Sequence, residues 1–322
     1  MEAVPTSHRN SSAGATLLGV LAIVFWSTSI AFARSIAEHL GTFTGPGVVY
    51  VAAGALGCGL LVATGRMTVV LRQASRRYLF VCGSLMVAYS VLLYLAVGLA
   101  QTREQIVVVT VANYLWPSLT LLFSVPLLGW RARPLWLAAG TGLGIAGVAL
   151  AVGADGLRPQ TTLSLSSHAT TTLPALLAAA AWGLYSNLTR RWGAESPGGA
   201  MPLFLLVTGT VLLLASSLTA EHSVWSGKAF WEAAYMVVFP TLLAYVFWDT
   251  AARRGDLSLV AALSYLTPLL SVGVSSLYLG LSIKPLQWLA GVLVVAGAAL
   301  CRFSIGKAES GESRAESRER RA

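Results

Sequence analysis

Aromatic side chains with a polar tip lie near the centres of several predicted apolar helices, where they could bind a flat ligand. A Tyr hydroxyl or an indole N–H that faces lipid is costly, so we expect these side chains to point into the protein. There they either pack a core with their polar tips satisfied or line a pocket for an apolar ring. The residues are Trp26, Tyr89, Trp116, Trp182, Tyr185 and Tyr265.

Uncharged polar side chains lie at a similar predicted depth and add hydrogen-bond donors and acceptors. An isolated polar residue at this depth can simply bond a neighbouring helix, for about 1 kcal/mol. Taken together, these groups also suit the charged head group of a zwitterion. They are Asn113 and Asn187, with Ser27, Ser29, Thr110, Ser186 and Ser264.

Ionisable residues are missing from the centres of the predicted helices. Glu104, Arg34 and Asp249 lie near helix ends, and Asp249 can pair with Arg253 one turn later. Metal or hydrolytic chemistry needs facing His, Asp or Glu side chains, and a strongly anionic substrate needs buried Lys or Arg. We therefore expect no enzyme activity, no metal and no cofactor, and a substrate without net charge.

The composition places the chain in a membrane. Apolar residues make up 56% of its 322 residues and charged residues 11%, and the mean hydropathy is +0.70. Soluble domains carry about 25% charged residues, so this chain cannot coat a water-facing surface. Ten stretches have about the length and apolar content that a spanning helix needs. They cover residues 15–36, 46–64, 78–98, 104–126, 134–153, 173–191, 201–219, 229–249, 257–279 and 285–303.

The basic residues predict which side each loop faces. The net charge of +9 comes from short loops and the C-terminal tail, which is typical of membrane proteins and not of nucleic-acid binding. If both termini are cytoplasmic, most of the 22 Lys and Arg residues lie on that side. The external side then holds only Arg34, Arg103, Arg158, Lys228 and Lys284. We therefore expect both termini in the cytoplasm.

A repeated motif divides the chain into two halves. Tyr114-Leu115-Trp116-Pro117 returns as Tyr265-Leu266-Thr267-Pro268, and the residues that follow match at the same offset. The segment 26–34 likewise resembles 182–190, so we interpret the first stretch as a retained helix and not as a cleaved leader. Five helices per half is an odd number, so the second copy should cross the membrane in the opposite sense. The expected units are a first five-helix repeat (1–154), an external loop (155–172), a second five-helix repeat (173–303) and a disordered cytoplasmic tail (304–322).

Two further motifs have structural interpretations. Pro117 and Pro268 lie near the middle of the fourth and ninth predicted spans, where a proline removes a backbone hydrogen bond and bends the helix. We favour a hinge beside a cavity over an inert kink, because both halves place a Tyr just upstream. Gly142, Gly144 and Gly147 match a dinucleotide-binding pattern, but they lie within an apolar helix, which favours close helix packing instead.

These features resemble the drug/metabolite transporter superfamily, and within it the EamA-type exporters. The resemblance rests on the ten helices in two halves, the early 26–34 segment and the late 265–270 run. The run 113–117 is also similar to exporters of aromatic amino acids. The resemblance implies an exporter of the bacterial inner membrane with a cavity between its halves. It assigns roles to Trp26, Asn113, Tyr114, Trp116, Pro117, Trp182, Tyr265 and Pro268.

The expected function is secondary transport by alternating access. The expected substrates are Phe, Tyr and Trp, with related small molecules as further candidates. Two alternatives stay open: an exporter of another small metabolite or a hydrophobic drug on the same fold and, more distantly, an integral-membrane enzyme or structural partner. The expected hinges are Pro117 and Pro268. The expected substrate-binding residues are Trp26, Tyr89, Asn113, Tyr114, Trp116, Trp182, Tyr185 and Tyr265.

Overall fold

The computed structural model describes residues 6–101, 103–153, 169–196, 198–219, 221–279 and 285–307. The expected external loop and the expected C-terminal tail lie mostly outside these residues, so both remain predictions.

The first half of the chain is almost entirely helical. Its helices are α1 (Thr6–Leu40), α2 (Thr44–Ala63), α3 (Arg66–Gln73), a π-helical turn (Tyr78–Cys82) that continues into α4 (Gly83–Leu99), α5 (Arg103–Asn113), α6 (Trp116–Leu128) and α7 (Pro134–Gly153).

The second half follows the same plan. Its elements are α8 (Ala169–Gly193), α9 (Met201–Ser216), α10 (Gly227–Met236), a π-helical turn (Val237–Leu243) that continues into α11 (Ala244–Arg254), α12 (Leu257–Leu263), a 3₁₀ turn (Ser264–Leu266), α13 (Thr267–Leu279) and α14 (Pro285–Ser304). Two short strands, β1 (Trp130–Ala132) and β2 (Ile305–Lys307), pair antiparallel with Trp130 opposite Lys307.

The length and apolar content of these helices agree with an all-α membrane protein. Among the described residues, five helical runs are long and apolar enough to cross a bilayer, and shorter apolar helices accompany them. The five runs are Ser12–Ser29, Thr44–Ala63, Tyr78–Leu99, Val108–Leu128 and Gly227–Arg254.

Helices of one half pack mainly on helices of the other half. The largest contacts join α7 to α14, α2 to α9, α8 to α4 and α6, and α1 to α11 and α13. The counterparts in chain order are α1 and α8, α2 and α9, α4 and α11, α6 and α13, and α7 and α14. If every helix is exchanged for its counterpart, this pattern of contacts is unchanged. A repeat of two halves would give this symmetry, and the two inverted five-helix units themselves remain a prediction.

Glycines bring the paired helices into backbone contact. A Cβ at Gly54 of α2 would overlap the backbone nitrogen of Leu206 in α9, and one at Gly140 of α7 would lie 2.7 Å from the backbone nitrogen of Cys301 in α14. In the stretch that matches a dinucleotide pattern, Gly144 lies against the Tyr265 ring. Small residues let membrane helices associate by close packing, where no water drives association. Helix packing thus accounts for Gly54, Gly140 and Gly144, whereas at Gly142 nothing among the described residues lies within 4 Å of a Cβ and the packing interpretation is wrong.

The loops predicted to face outside meet at one end of the bundle. The backbone N–H of Val224 donates to the carbonyl oxygen of His39 at 2.8 Å. The Glu221 carboxylate accepts from the N–H of Phe43 at 3.0 Å, and from the N–H and hydroxyl of Thr44 at 2.9 Å and 2.8 Å. Glu221 thus binds the N-terminus of α2, where a negative charge is favourable.

The loops predicted to face the cytoplasm meet at the other end, here called the basic end. Arg190 donates to the Gly255 carbonyl oxygen at 2.6 Å, and Arg302 pairs with Asp256 at 3.2 Å. The Asp256 carboxylate also accepts from the Ser258 hydroxyl and the Leu259 N–H. Partial burial works against its ionisation, but these hydrogen bonds and Arg302 hold the pKa of Asp256 below its usual range.

Gly54→Ala should destabilise the protein, because the new methyl group would overlap the backbone of α9. We expect the overlap to lower the free energy of unfolding by about 1–3 kcal/mol. This loss should outweigh the roughly 0.5–1 kcal/mol by which Ala is more stable than Gly within a helix. Gly59→Ala on the same helix is the matched control, since nothing lies within 4 Å of a Cβ there. Thermal unfolding in detergent measures both, and equal midpoints for the two variants would contradict the close approach.

The Glu221 carboxylate should make stability depend on pH. Burial alone would raise its pKa, but the N–H groups of Thr44 and Phe43 hold the pKa of Glu221 below the usual range. A depressed pKa contributes stability that is present above the unfolded pKa, about 4.3, and is lost as the pH falls through the folded pKa. We expect Glu221→Gln to lower the thermal midpoint at pH 7, and the difference from wild type to shrink below about pH 4. Glu195→Gln, at an exposed carboxylate, should show no such difference.

Candidate functional site

Both copies of the repeated motif lie where a helix is interrupted. α5 ends at Asn113 and α6 begins at Trp116, while a 3₁₀ turn at 264–266 separates α12 from α13. Pro117 and Pro268 are each the second residue of the helix that follows. Proline suits this position because its missing N–H would be unpaired there anyway. Each long span is therefore two helices in series, and the proline begins the second one instead of bending a continuous helix.

An aromatic cluster occupies the centre of the bundle around Trp182 of α8, which is 2% exposed. Its indole ring contacts rings from α1, α4, α6 and α11, with centroid distances from 4.7 Å to Tyr89 up to 6.0 Å to Trp116. Edge-on and tilted contacts of this kind stabilise aromatic groups beyond the area that they bury. The aromatic cluster consists of Trp26, Tyr89, Trp116, Trp182, Tyr185, Tyr245 and Trp248.

The structure brings five of the six mid-helix aromatic residues into this cluster and places Tyr265 elsewhere. The Tyr265 ring is fully buried beside Gly144, and its hydroxyl bonds the Ser118 hydroxyl. Tyr114, assigned by family resemblance, packs in the same second group of apolar residues on α6, α7, α12 and α14. Tyr114 and Tyr265 thus lie at the two helix interruptions and outside the aromatic cluster.

Sequence reasoning missed two members of the cluster, Tyr245 and Trp248, and the tyrosines next to them. The Tyr245 hydroxyl bonds the Tyr50 hydroxyl at 2.5 Å, and Tyr94 contacts the Tyr50 ring. A signal for Tyr245 existed in the repeat. Ala88-Tyr89 and Ala244-Tyr245 have the same separation along the chain as Trp26 and Trp182. Trp248 has no aromatic counterpart in the first half, so the repeat carries no signal for it.

On the predicted substrate-binding residues, two polar atoms are buried without a hydrogen-bond partner among the described residues. They are Nε1 of Trp182 and Oδ1 of Asn113, which lies beside the Tyr89 hydroxyl. Two of the other indoles are paired, because Trp26 donates to the Pro240 carbonyl oxygen at 3.0 Å and Trp248 to the Ser186 hydroxyl at 3.2 Å. A buried group without a partner is costly. One donor and one acceptor are therefore available to a ligand or to water.

Asn187, the other mid-depth amide, has a structural role. Its side-chain N–H₂ donates to the carbonyl oxygens of Thr120 at 2.8 Å and Gly183 at 2.9 Å. The first bond joins α8 to α6. The two helices approach closely here, because a Cβ at Gly183 would lie only 3.1 Å from the Thr120 backbone nitrogen. Of the two interpretations of the mid-depth polar residues, Asn187 thus fits a bond to a neighbouring helix and not a head-group site.

A buried ion pair lies next to the aromatic cluster, towards the basic end. The expected pair between Asp249 and Arg253 is confirmed, with the Arg253 Nε donating to Asp249 Oδ2 at 2.8 Å. The position of Asp249 near a helix end gave no indication of its burial, since only 1% of its side chain is exposed. The hydroxyls of Tyr78 and Tyr185 donate to Asp249 Oδ1 at 2.8 Å and 3.1 Å. The bundle interior is therefore not free of charge, although its net charge at this point is zero.

A polar pocket of about 250 Å³ lies at the basic end itself. Its wall includes Arg190, Asp256, Arg302 and Trp130. Asp256 neutralises one of the two arginines through the 3.2 Å pair with Arg302. None of the predicted substrate-binding residues lines this pocket.

Comparisons with known proteins identify relatives along nearly the whole chain. Residues 170–303 match the model of the EamA-like transporter family. The aromatic amino acid exporter YddG of Salmonella typhimurium is 31% identical over 294 residues, which are 90% of this chain and 97% of that protein. The exporter of the same name from Ancylobacter novellus is 34% identical over 270 residues, 81% of this chain and 87% of that protein.

A solved crystal structure has the same fold. It superposes with a TM-score of 0.75 at 31% sequence identity, and the match covers 89% of this chain and 96% of the other. The likeness therefore includes the first half of the chain, which precedes the residues that match the family model.

The hydrogen bond between Tyr50 and Tyr245, which joins α2 to α11, should show strong coupling in a double-mutant cycle. Tyr50→Phe leaves the buried Tyr245 hydroxyl without this partner and should cost about 1–3 kcal/mol. Tyr245→Phe should cost less, because the Tyr50 hydroxyl also lies beside Tyr94 and Ser90. The double variant removes both hydroxyls, so its cost should fall below the sum of the single costs by about 1 kcal/mol or more. Denaturant or thermal unfolding in detergent measures the cycle, and additive effects would show that the two hydroxyls are not bonded.

Proposed function

The chain belongs to the EamA-like transporter family of the drug/metabolite transporter superfamily, and from that premise we propose that it exports aromatic amino acids by alternating access. As a family member it is a multi-pass membrane protein and a small-molecule exporter, which points away from enzyme activity. The observation that carries the proposal is the aromatic cluster around Trp182, with an unpaired buried donor and acceptor in and beside it.

Phe, Tyr and Trp fit the chemistry of this cluster. Their rings would stack among indole and phenol groups, for which each good aromatic contact is worth about 0.5–1.5 kcal/mol beyond burial. The head group needs hydrogen-bond partners, and Asn113 Oδ1 and Trp182 Nε1 are buried without one among the described residues. Asn113 would accept from the substrate's ammonium group. Trp26, Tyr89, Trp116 and Tyr185 would surround the ring.

The proposed architecture is ten spanning helices in two inverted repeats, 1–154 and 173–303, in a bacterial inner membrane with both termini in the cytoplasm. Three observations support it. The helix packing is unchanged when the halves are exchanged, the loops meet at two ends, and most basic residues lie on loops of one end. An inverted repeat allows two conformations related by exchange of the halves, which is the basis of alternating access.

The helix interruptions are the proposed hinges of this movement. Broken helices in transporters lie at the repeat interface and leave backbone groups free to rearrange. Pro117 and Pro268 would hold the start of the second helix while the backbone at 113–115 and 264–266 changes direction. Tyr114 and Tyr265, which lie at these interruptions, would couple the hinge to the packing of α7 and α14.

A hydrophobic cation is the main alternative substrate on the same architecture. Indole faces attract cations, by about 2 kcal/mol or more where water is excluded, and the cluster presents four of them. Competition separates the two substrates. If a hydrophobic cation is transported and unlabelled Phe does not inhibit it, the amino-acid assignment is wrong.

Reconstituted protein should transport labelled Phe or Trp into liposomes, and Trp116→Ala and Asn113→Ala should each lower kcat/KM at least about tenfold. Loss of one stacking contact or head-group bond of about 1.4 kcal/mol corresponds to that factor. Trp288→Ala is the matched control, because this Trp is 67% exposed and away from the cluster. Equal transport by all three variants, at equal amounts of folded protein, would exclude the proposed site.

A further inference from the structure

Four side chains form what we call the polar layer: Tyr78, Tyr185, Asp249 and Arg253. All are at most 5% exposed. Both oxygens of the Asp249 carboxylate are used, one by Arg253 and the other by the two tyrosine hydroxyls. The layer joins the π-helical turn before α4 to α8 and α11.

The backbone between α8 and α9 completes this layer. The N–H of Ala200 donates to the Tyr78 hydroxyl at 3.0 Å, and Arg253 Nη1 donates to the Ser196 carbonyl oxygen at 3.3 Å. A Cβ at Gly199 would overlap the Asp249 carboxylate, so this loop lies directly against the ion pair. The polar layer therefore closes the bundle between the aromatic cluster and the basic end.

Tyr185 connects the layer to the aromatic cluster. Its ring lies 5.2 Å from the Trp182 ring, and its hydroxyl donates to Asp249 at 3.1 Å. One side chain thus touches both the proposed ring site and the ion pair. A substrate that passes between the aromatic cluster and the basic end must pass these groups.

The ion pair belongs to one half only. In the alignment of the two halves that matches Tyr89 with Tyr245, Leu93 corresponds to Asp249 and Val97 to Arg253. The equivalent position towards the other end of the bundle is therefore apolar. Helix packing does not require the pair, because α4, the counterpart of α11 in the first half, forms with Leu93 and Val97 at these positions.

We propose that the Asp249–Arg253 pair is a second binding site for the zwitterionic head group of an amino acid that enters from the basic end. The ammonium group would bind Asp249 in place of Arg253, and the carboxylate would bind Arg253 in place of Asp249. This proposal rests on the proposed function and names a residue pair that none of the sequence motifs includes. Separating a buried pair leaves two uncompensated charges, which is strongly unfavourable. A zwitterion compensates both charges, whereas an amine or an acid compensates only one.

Cys82 provides a native reporter for opening of the layer. It is fully buried four residues after Tyr78 and lies near Asp249 and Thr189. Cys58→Ser/Cys301→Ser leaves Cys82 as the single thiol, and its labelling rate by N-ethylmaleimide reports its exposure. Cys58→Ser/Cys82→Ser leaves Cys301, which is fully buried between α7 and α14 and reports general unfolding.

The test measures Cys82 labelling with saturating Phe, phenethylamine or 3-phenylpropionate, which share the ring and differ in charge. We expect Phe to change the rate about tenfold or more, and each analogue to change it less than twofold. Cys301 labelling should stay constant throughout. Asp249→Asn should increase Cys82 labelling without ligand and abolish the response to Phe. The ligand comparison uses intact Asp249 and Arg253, so it stands even if the Asn variant does not fold.

The outcomes separate the two proposals. If Phe is transported but leaves Cys82 labelling unchanged, or if an analogue acts as strongly as Phe, the head-group site is wrong while the proposed function stands. If Phe is neither transported nor able to alter labelling, the proposed function fails, and this inference fails with it. A parallel rise at Cys301 would assign the change to loosening of the whole protein and also overturn the proposal.

Discussion

Backbone contact between matching helices of the two halves is the constraint on which the rest of this structure depends. Lipid gives helices no hydrophobic reason to associate, so they must gain contact area by approaching closely. Glycines provide that approach where α2 meets α9 and where α7 meets α14. Each of these contacts joins a helix to its own counterpart. The halves are therefore held at their flanks by groups too small to interact with a substrate.

The centre of the bundle is built in the opposite way, from the largest side chains. Between the glycine contacts, indole and phenol rings of α1, α4, α6, α8 and α11 contact one another. The polar tips of these buried rings must find hydrogen-bond partners. Most do, but Trp182 Nε1 does not among the described residues. Close contacts at the flanks and an unpaired polar group at the centre support the proposed substrate site between the two halves.

Local patterns in the sequence predict the helices and most of the aromatic cluster. Apolar length places most helices to within a few residues, as for the stretch 78–98 against the observed run Tyr78–Leu99, and the repeated motif marks both helix interruptions. The position of a residue along its helix can also be predicted from the sequence, and five of the six predicted mid-helix aromatic residues lie in the cluster. The direction of a side chain around its helix is less readable, because these helices are apolar on every face. For this reason the sequence does not indicate that Tyr265 lies outside the cluster. It also does not indicate the burial of Asp249, whose partners Tyr78 and Tyr185 are far away along the chain.

The ion pair shows why two similar halves need not make a symmetrical transporter. If both ends closed through equivalent apolar contacts, exchange of the halves would give two states of similar free energy. In the proposed mechanism, Asp249 and Arg253 would act at one end only, since Leu93 and Val97 occupy the equivalent positions. A buried pair also costs much more to separate than an apolar contact of the same size, unless other charges replace it. In the proposed head-group site, opening of the basic end would therefore depend on the charges that the solute carries.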